Sequence, residues 1–142
     1  MIYLDANVFV IANLDTEKLG DDARSLLKDV QTGKLEAASS ALSFDEIVWA
    51  VKKNRTLEDS IMAGEAFLNM PRLKLVAVNG DLLASTLTIM REYHLNPRDS
   101  IHAASAMTEG IDTIVSQDKH FDKLKEIRRK DVSRARHDST SF

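Results

Sequence analysis

Four acidic residues stand where predicted strands give way to helices. Asp5 follows the first apolar run, Glu46 lies in the first turn predicted after the second strand, Asp99 follows a proline that opens a helix, and Asp118 follows the last strongly apolar run. Carboxylate oxygens are the ligands that Mg²⁺ and Mn²⁺ prefer, and both ions serve phosphoryl-transfer chemistry. Four carboxylates in one cleft would repel each other unless a cation neutralised them. Their convergence would therefore predict a divalent-metal site.

Each acid alone also fits the start of a helix. Asp5 and Asp118 fit N-cap positions, Glu46 fits a capping box opened by Ser43, and Asp99 fits the positive end of a helix dipole. Their joint placement changes the balance, because the carboxyl ends of parallel strands share one edge of a sheet. Asp5, Glu46 and Asp118 reach that edge by sequence position. Asp99 joins them if its helix packs beside the first strand.

Strands and helices alternate along the chain, which predicts a mostly parallel sheet covered by helices on both faces. Apolar periodicity and turn residues place the elements, with residues 8–12 compatible with a helix or a strand. We expect a single domain with a three-layer α/β/α sandwich over residues 1–132 and a polar, solvated tail over residues 133–142. The predicted strands are 2–4, 35–41, 73–78, 112–116 and 127–132, and the predicted helices are 16–31, 43–54, 57–69, 82–94, 97–109 and 119–125.

Composition limits the classes of function. The chain of 142 residues has no cysteine, which excludes disulfides, thiolate nucleophiles and cysteine-based zinc sites. A formal net charge of −3 disfavours tight non-specific nucleic-acid binding, although a bound metal ion would supply local positive charge. The first residues lack the pattern of a signal peptide, and no apolar run is long enough to cross a membrane. We expect a cytoplasmic protein with no membrane contact.

Four segments of the chain resemble the successive motifs of PIN-domain ribonucleases, and the closest group is the VapC-type toxins of toxin–antitoxin pairs. The third segment matches the pattern D-x-x-x-A-A-x-A and the fourth matches S/T-x-D-x-x-F, and these two motifs are the more specific. The resemblance extends from Ile2 to Val132. The segments are L-D-A-N at 4–7, S-F-D-E-I at 43–47, P-R-D-S-I-H-A-A-S-A at 97–106 and S-Q-D-K-H-F at 116–121.

The resemblance implies that Asp5, Glu46, Asp99 and Asp118 are the catalytic residues and hold Mg²⁺ or Mn²⁺. It also implies a supporting polar residue two positions after the first acid, which is Asn7 here. The implied activity is endoribonuclease cleavage of RNA to 5′-phosphate and 3′-hydroxyl ends. The implied partners are an RNA substrate, a cognate antitoxin protein and a second copy of the chain.

Residues beside the acids have two interpretations each. Ser116 either orients an acid or ends its strand, and Asp122 stands close enough to Asp118 either to substitute for it or to assist it. Arg98 either contacts a phosphate or faces solvent. His102 adjoins a residue expected in the core, and the sequence does not favour it as a general base.

Two other classes of function compete with the nuclease. A catalytically silent module of the same fold, binding nucleic acid or protein, would keep the fold without acid-dependent metal binding. A haloacid-type phosphatase needs the pattern Asp-x-Asp after its first strand, where this chain has Asp5-Ala6-Asn7. One ambiguity concerns which of Asp45 and Glu46 points inward, and the helical phase of the neighbouring apolar residues favours Glu46.

Overall fold

The computed structural model describes residues 1–140 of the chain. The predicted alternation of strands and helices is confirmed, and residues 8–12 are helical. None of the helices within residues 1–140 has the length and apolar character needed to cross a membrane. In chain order the elements are β1 (Ile2–Leu4), α1 (Ala6–Leu14), α2 (Lys18–Gln31), β2 (Ala37–Ser40), α3 (Leu42–Asn54), α4 (Leu57–Leu68), β3 (Leu73–Val76), α5 (Gly80–Tyr93), α6 (Pro97–Thr108), β4 (Thr113–Val115), a 3₁₀ helix (Lys119–Lys123), β5 (Arg128–Lys130) and α7 (Val132–Ser139).

The five strands form one sheet in the order β3-β2-β1-β4-β5, and every neighbouring pair is parallel. Tyr3 in the central strand pairs with Ala38 on one side and with Ile114 on the other. The chain first builds outward from β1 to β3 and then returns to add β4 and β5 on the opposite side. The order of strand addition therefore reverses between the paired strands β1 and β4. At such a switch point, an α/β sheet has a crevice just beyond the carboxyl ends of its strands.

Successive residues of β1 bury their side chains on opposite faces of the sheet, as the pleat of a strand requires. Leu4 belongs to the apolar cluster that includes residues of α1, α2, α3, α4 and α7. Tyr3 belongs to the cluster that includes residues of α5, α6 and the 3₁₀ helix. Helices thus cover both faces, which confirms the three-layer α/β/α architecture.

The prediction of a solvated tail from residue 133 is wrong for α7. This helix buries Val132 and Ala135, and its Ser133 hydroxyl donates to the Asp22 carboxylate of α2 at 3.1 Å. Arg134 of this helix is exposed, whereas Arg136 lies 3.5 Å from the Asp29 carboxylate of α2. The packed part of the chain therefore extends beyond residue 132, while residues 141 and 142 lie outside the described range.

The turn between α1 and α2 is tight, and the backbone of Asp15 lies directly against Gly20 of α2. A Cβ atom added there would lie 2.0 Å from the Asp15 carbonyl oxygen, which already accepts a hydrogen bond from the Arg24 guanidinium at 2.7 Å. Because the obstacle is backbone, the helix pair must shift to accept any side chain. This close approach holds the C-terminal end of α1 against the first turn of α2.

We predict that Gly20→Ala lowers the free energy of unfolding by about 1–3 kcal/mol, the usual effect of overpacking. Gly80→Ala is the matched control, because a Cβ added at Gly80 meets nothing within 4 Å. Alanine in the first turn of α5 should leave stability unchanged or raise it by up to about 1 kcal/mol. Urea unfolding followed by circular dichroism measures both, and equal effects of the two substitutions would contradict the packing argument.

Candidate metal centre

The four acids meet at the carboxyl edge of the sheet, at the switch point between β1 and β4. Asp5 follows β1 and caps α1, and Asp118 follows β4 and caps the 3₁₀ helix. Glu46 reaches the edge from the start of α3 and Asp99 from the first turn of α6. The structure therefore brings together all four acids that the sequence singles out.

The acids form two adjacent groups, each completed by a histidine. Asp5 and Glu46 lie with His102, and Asp99 and Asp118 lie with His120. Within each group, ligand atoms of the three residues lie within 4.8 Å of one another. The negative charge of Asp5 acts on Asp99, which joins the two groups electrostatically.

Asp5 is a buried carboxylate, with 5% of its surface exposed. Its Oδ1 accepts the backbone N–H of Ala6 at 2.7 Å, and its Oδ2 accepts the Ser116 hydroxyl at 2.5 Å. Burial raises the pKa of Asp5, while the charge of His102 and the hydrogen bond from Ser116 oppose that rise. Hydrogen-bond donors thus hold the Asp5 carboxylate in place, but they replace only part of the hydration that its ionised form would have in water.

The Ser116 hydroxyl uses all of its hydrogen-bonding capacity inside the site. It donates to Asp5 and accepts from Asn7 Nδ2 at 3.1 Å and from the backbone N–H of Asp118 at 3.0 Å. A hydroxyl has one proton and two acceptor sites, so none remains. Of the two interpretations that the sequence allows for Ser116, the structure supports the one in which it orients neighbouring polar groups.

Asn7 presents a buried oxygen that has no partner. Because the Ser116 proton belongs to Asp5, Asn7 must contact Ser116 through Nδ2, and its Oδ1 then lies buried without a hydrogen bond within residues 1–140. Buried amide oxygens are normally paired. Together with four carboxylates, this oxygen makes a donor set of hard ligands, which fits Mg²⁺ or Mn²⁺. The chemistry of the residues present therefore agrees with the predicted cofactor.

Glu46 reaches the site by a route other than the predicted capping box. Helix α3 begins at Leu42 without a side-chain cap, and the Ser43 hydroxyl bonds to Ser39 Oγ at 2.8 Å. The capping-box prediction is therefore wrong, and the Glu46 carboxylate is free to point into the cleft. Asp45 is exposed, while Glu46 is partly buried against His102. This placement agrees with the helical phase argued from the sequence.

His102 is the residue that sequence reasoning missed. Its ring is 1% exposed, with Nδ1 2.6 Å from the Tyr3 hydroxyl, and with Nε2 2.9 Å from Glu46 Oε1 and 3.4 Å from Asp5 Oδ1. Burial lowers the pKa of His102, but the hydrogen bond to Glu46 and the charges of Asp5 and Glu46 outweigh it and raise the pKa overall. One signal was available, because His102 lies three residues after Asp99 on the same side of a helix.

An open cavity of about 500 Å³ adjoins the second group of acids. Arg98, Asp99, Asp118 and His120 line it, and the Arg98 side chain is exposed. His120 Nδ1 lies 3.1 Å from Asp118 and 3.5 Å from Asp99. Burial raises the pKa of Asp99, the charges of Asp118 and Asp5 add to the rise, and His120 opposes it. The cavity therefore places the Arg98 guanidinium, a group that can bind a phosphate, beside two carboxylates of the acidic cluster.

Asp122 lies outside both groups of acids. Its carboxylate is exposed and accepts the Arg129 Nε–H at 2.8 Å, which holds the pKa of Asp122 below its usual range. Arg129 also donates to the Ser116 carbonyl at 3.0 Å. The structure therefore does not bring Asp122 to the site as a direct neighbour of Asp118, and its connection to the site runs through Arg129.

Comparison with known proteins gives one family and one fold. The sequence profile described as the PIN domain matches residues 2–127, and no curated protein matches the sequence. Similar solved structures include VapBC2 from Rickettsia felis bound to a DNA fragment from the promoter (TM-score 0.71, 20% identity, 92% of this chain and 98% of that one). They also include the sarcin-ricin loop cleaving toxin VapC20 from Mycobacterium tuberculosis (0.70, 13%, 86% and 93%) and a toxin–antitoxin complex from Klebsiella pneumoniae (0.63, 16%, 90% and 96%).

We predict that Ser116→Ala lowers the free energy of unfolding by about 1–3 kcal/mol, because it removes a donor from a buried carboxylate and leaves two N–H donors without their acceptor. Ser60→Ala is the matched control. The Ser60 hydroxyl is also buried but donates only to the Leu57 carbonyl, so its loss should cost about 1 kcal/mol or less. Chemical unfolding of both variants measures the two losses of stability. A loss in Ser116→Ala no larger than that in Ser60→Ala would contradict the role of Ser116 as the shared partner of Asp5, Asn7 and Asp118.

Proposed function

The chain belongs to the PIN domain family, and from that membership we propose that it is a Mg²⁺- or Mn²⁺-dependent endoribonuclease acting as the toxin of a toxin–antitoxin pair. The observation that carries the proposal is the meeting of Asp5, Glu46, Asp99 and Asp118 around one crevice. Such crowding of carboxylates is costly in a protein that has no cation to place there. A nuclease of this type accounts for both the acids and the cation.

The proposed chemistry divides between the cofactor and the chain. A divalent ion, when bound, would polarise the scissile phosphate and make water a better nucleophile. Asp5 and Glu46 would provide ligands on one side of the crevice and Asp99 and Asp118 on the other, for one ion or for two. Asn7 Oδ1 is the unpaired oxygen through which a hydrated ion or water would be oriented.

The remaining steps fall to residues of the second group. Asp99 or Asp118 would accept the proton of the attacking water, since both line the open cavity. Arg98 lines the same cavity and would contact a phosphate oxygen, for which the guanidinium geometry is well suited. Attack by water breaks the bond to the 3′ oxygen, so the products carry 5′-phosphate and 3′-hydroxyl ends.

The proposal includes RNA as substrate, an antitoxin protein and a second copy of the chain as partners, and the cytoplasm as the place of action. Support for the protein partners comes from the apolar surface of α3 and α4, where large side chains are unusually exposed, and such surfaces often serve protein contacts. Known structures of this fold include a toxin–antitoxin complex. The exposed residues are Trp49, Leu57, Ile61, Met62 and Leu68.

We predict that Asp5→Asn and Asp99→Asn each reduce Mg²⁺- or Mn²⁺-dependent cleavage of structured RNA by about 100-fold or more, because each removes a charged ligand of the ion that stabilises developing charge. Asparagine is as good an N-cap as aspartate, so Asp5→Asn should leave α1 intact. Gel analysis of labelled RNA measures the rate, and phosphatase treatment and ligation identify the product ends. Removal of the metal by EDTA should stop cleavage in the wild-type protein.

Asp45→Asn is the matched control for these substitutions. Asp45 neighbours Glu46 on α3 but is exposed, so its loss of charge should leave the rate within about twofold, as for ordinary surface substitutions. Cleavage that persists in EDTA or in Asp5→Asn would overturn the assignment. A wild-type protein that cleaves none of a panel of structured RNAs with either ion would favour the silent binding module instead.

A further inference from the structure

We propose that His102, anchored by Tyr3, is a positioning residue that holds the Glu46 carboxylate in place for the metal ion. The inference rests on the proposed function, because it concerns the same metal centre. It adds His102 to the four acids of the proposed site and gives this buried histidine a role there. Three features of the structure carry it: the contact of Nε2 with two carboxylates, the contact of Nδ1 with Tyr3, and the lack of any other hydrogen bond to the Glu46 carboxylate within residues 1–140.

The contacts of Nε2 fix which group donates. Its two neighbours, Glu46 Oε1 and Asp5 Oδ1, are carboxylate oxygens that can only accept when ionised. With both carboxylates ionised, Nε2 carries the proton and donates mainly to Glu46, the nearer of the two. A protonated Nε2 has no lone pair left for a metal ion. His102 thus supports the oxygen ligands rather than acting as one of them, as ions that prefer oxygen would require.

The other ring nitrogen is anchored from the core. Nδ1 lies 2.6 Å from the hydroxyl of Tyr3, and the two rings meet edge to face with centroids 5.8 Å apart. Tyr3 is itself fully buried in β1, and burial raises its pKa well above the usual range, so the phenol keeps its proton. The imidazole therefore cannot rotate without losing a buried hydrogen bond, which is costly.

Glu46 depends on this donor. Within residues 1–140, no hydrogen bond other than the one from His102 reaches its carboxylate, and its side chain is 22% exposed. A glutamate has three side-chain torsions, so it would otherwise sample several directions at the mouth of the crevice. His102 occupies one acceptor site on Oε1 and leaves Oε2 for a cation. Groups that orient metal ligands in this way typically contribute about 10–100-fold to metal affinity.

Isothermal titration calorimetry with MgCl₂ and MnCl₂ tests the inference. His102→Phe keeps a ring of similar size but removes both nitrogens, and we expect it to weaken ion binding by about 10–100-fold. His102→Gln restores an N–H donor and should recover part of the loss. Tyr3→Phe, which removes only the anchoring hydroxyl, should have an intermediate effect. Circular dichroism melting confirms that each variant is folded.

A double-mutant cycle separates positioning from general loss of structure. If His102 acts through Glu46, the affinity of His102→Phe/Glu46→Gln should be close to that of Glu46→Gln alone. Thr86→Val is the control, because it removes a buried hydroxyl that bonds only to the Leu82 carbonyl, and it should leave affinity unchanged. Full additivity in the cycle, or wild-type affinity in His102→Phe, would overturn the inference.

Imidazole ¹⁵N spectra decide the matter even if the wild-type chain binds neither ion, a result that would overturn the proposed function. We expect the Nε2 proton of His102 to be present, to remain when MgCl₂ is added, and to shift in Glu46→Gln. A shift in Glu46→Gln without any ion binding would keep the positioning contact while removing the nuclease assignment. Loss of the Nε2 proton on adding MgCl₂, or no response to Glu46→Gln, would contradict the inference.

Discussion

The burial of the Asp5 carboxylate at the end of the central strand is the constraint on which the rest of the site depends. An ionised carboxyl removed from water is unfavourable unless hydrogen bonds and opposite charge replace its hydration. Asp5 obtains these from the first backbone N–H of α1, from Ser116 and from His102. Each donor comes from a different element. Helix α1, which Asp5 caps, also directs its positive end at the carboxylate. Satisfying this one group therefore fixes the relative positions of β1, β4, α1 and α6.

The sheet order explains why these elements meet. The crevice opens between β1 and β4, where the chain changes the direction in which strands are added. The pleat of β1 then assigns its residues to different tasks: Leu4 packs under α1, while Tyr3 on the other face reaches the buried ring of His102 in α6. Strand β1 thus leads directly to Asp5 at the crevice. Two residues before Asp5, Tyr3 contacts His102, which in turn contacts Glu46.

Much of this arrangement was predictable from the sequence. Apolar runs and turn residues were enough to place the strands and most helices, and parallel topology was enough to predict that Asp5, Glu46 and Asp118 share an edge. The capping box failed because the N-cap of α3 is Ala41, two residues before Ser43, so that Ser43 lies inside the helix and bonds to Ser39. The local sequence does not reveal the hydrogen bond between Ser43 and Ser39, because Ser39 belongs to the preceding strand.

Two other differences have the same origin in contacts across the fold. His102 stands in an alanine-rich stretch in which its spacing from Asp99 is the one local signal, and its partners Tyr3 and Glu46 are 99 and 56 residues away along the chain. Helix α7 is short and rich in arginine, so its sequence suggests a solvated tail. Its burial depends on α2, with which it shares a hydrogen bond from Ser133 to Asp22. The burial of a short helix such as α7 depends on its tertiary contacts and is hard to predict from local sequence. Long helices can be predicted from their apolar periodicity.

The central claim is that the four acids bind divalent cations at this crevice. Anomalous diffraction from crystals of the protein grown with MnCl₂ tests it most directly, because manganese is located without reference to any activity. We predict an anomalous peak within coordination distance of carboxylate oxygens from both groups, Asp5 with Glu46 and Asp99 with Asp118, and the loss of that peak in Asp5→Asn crystals. Manganese bound only elsewhere on the protein, or a crevice without manganese at saturating concentration, would contradict the account.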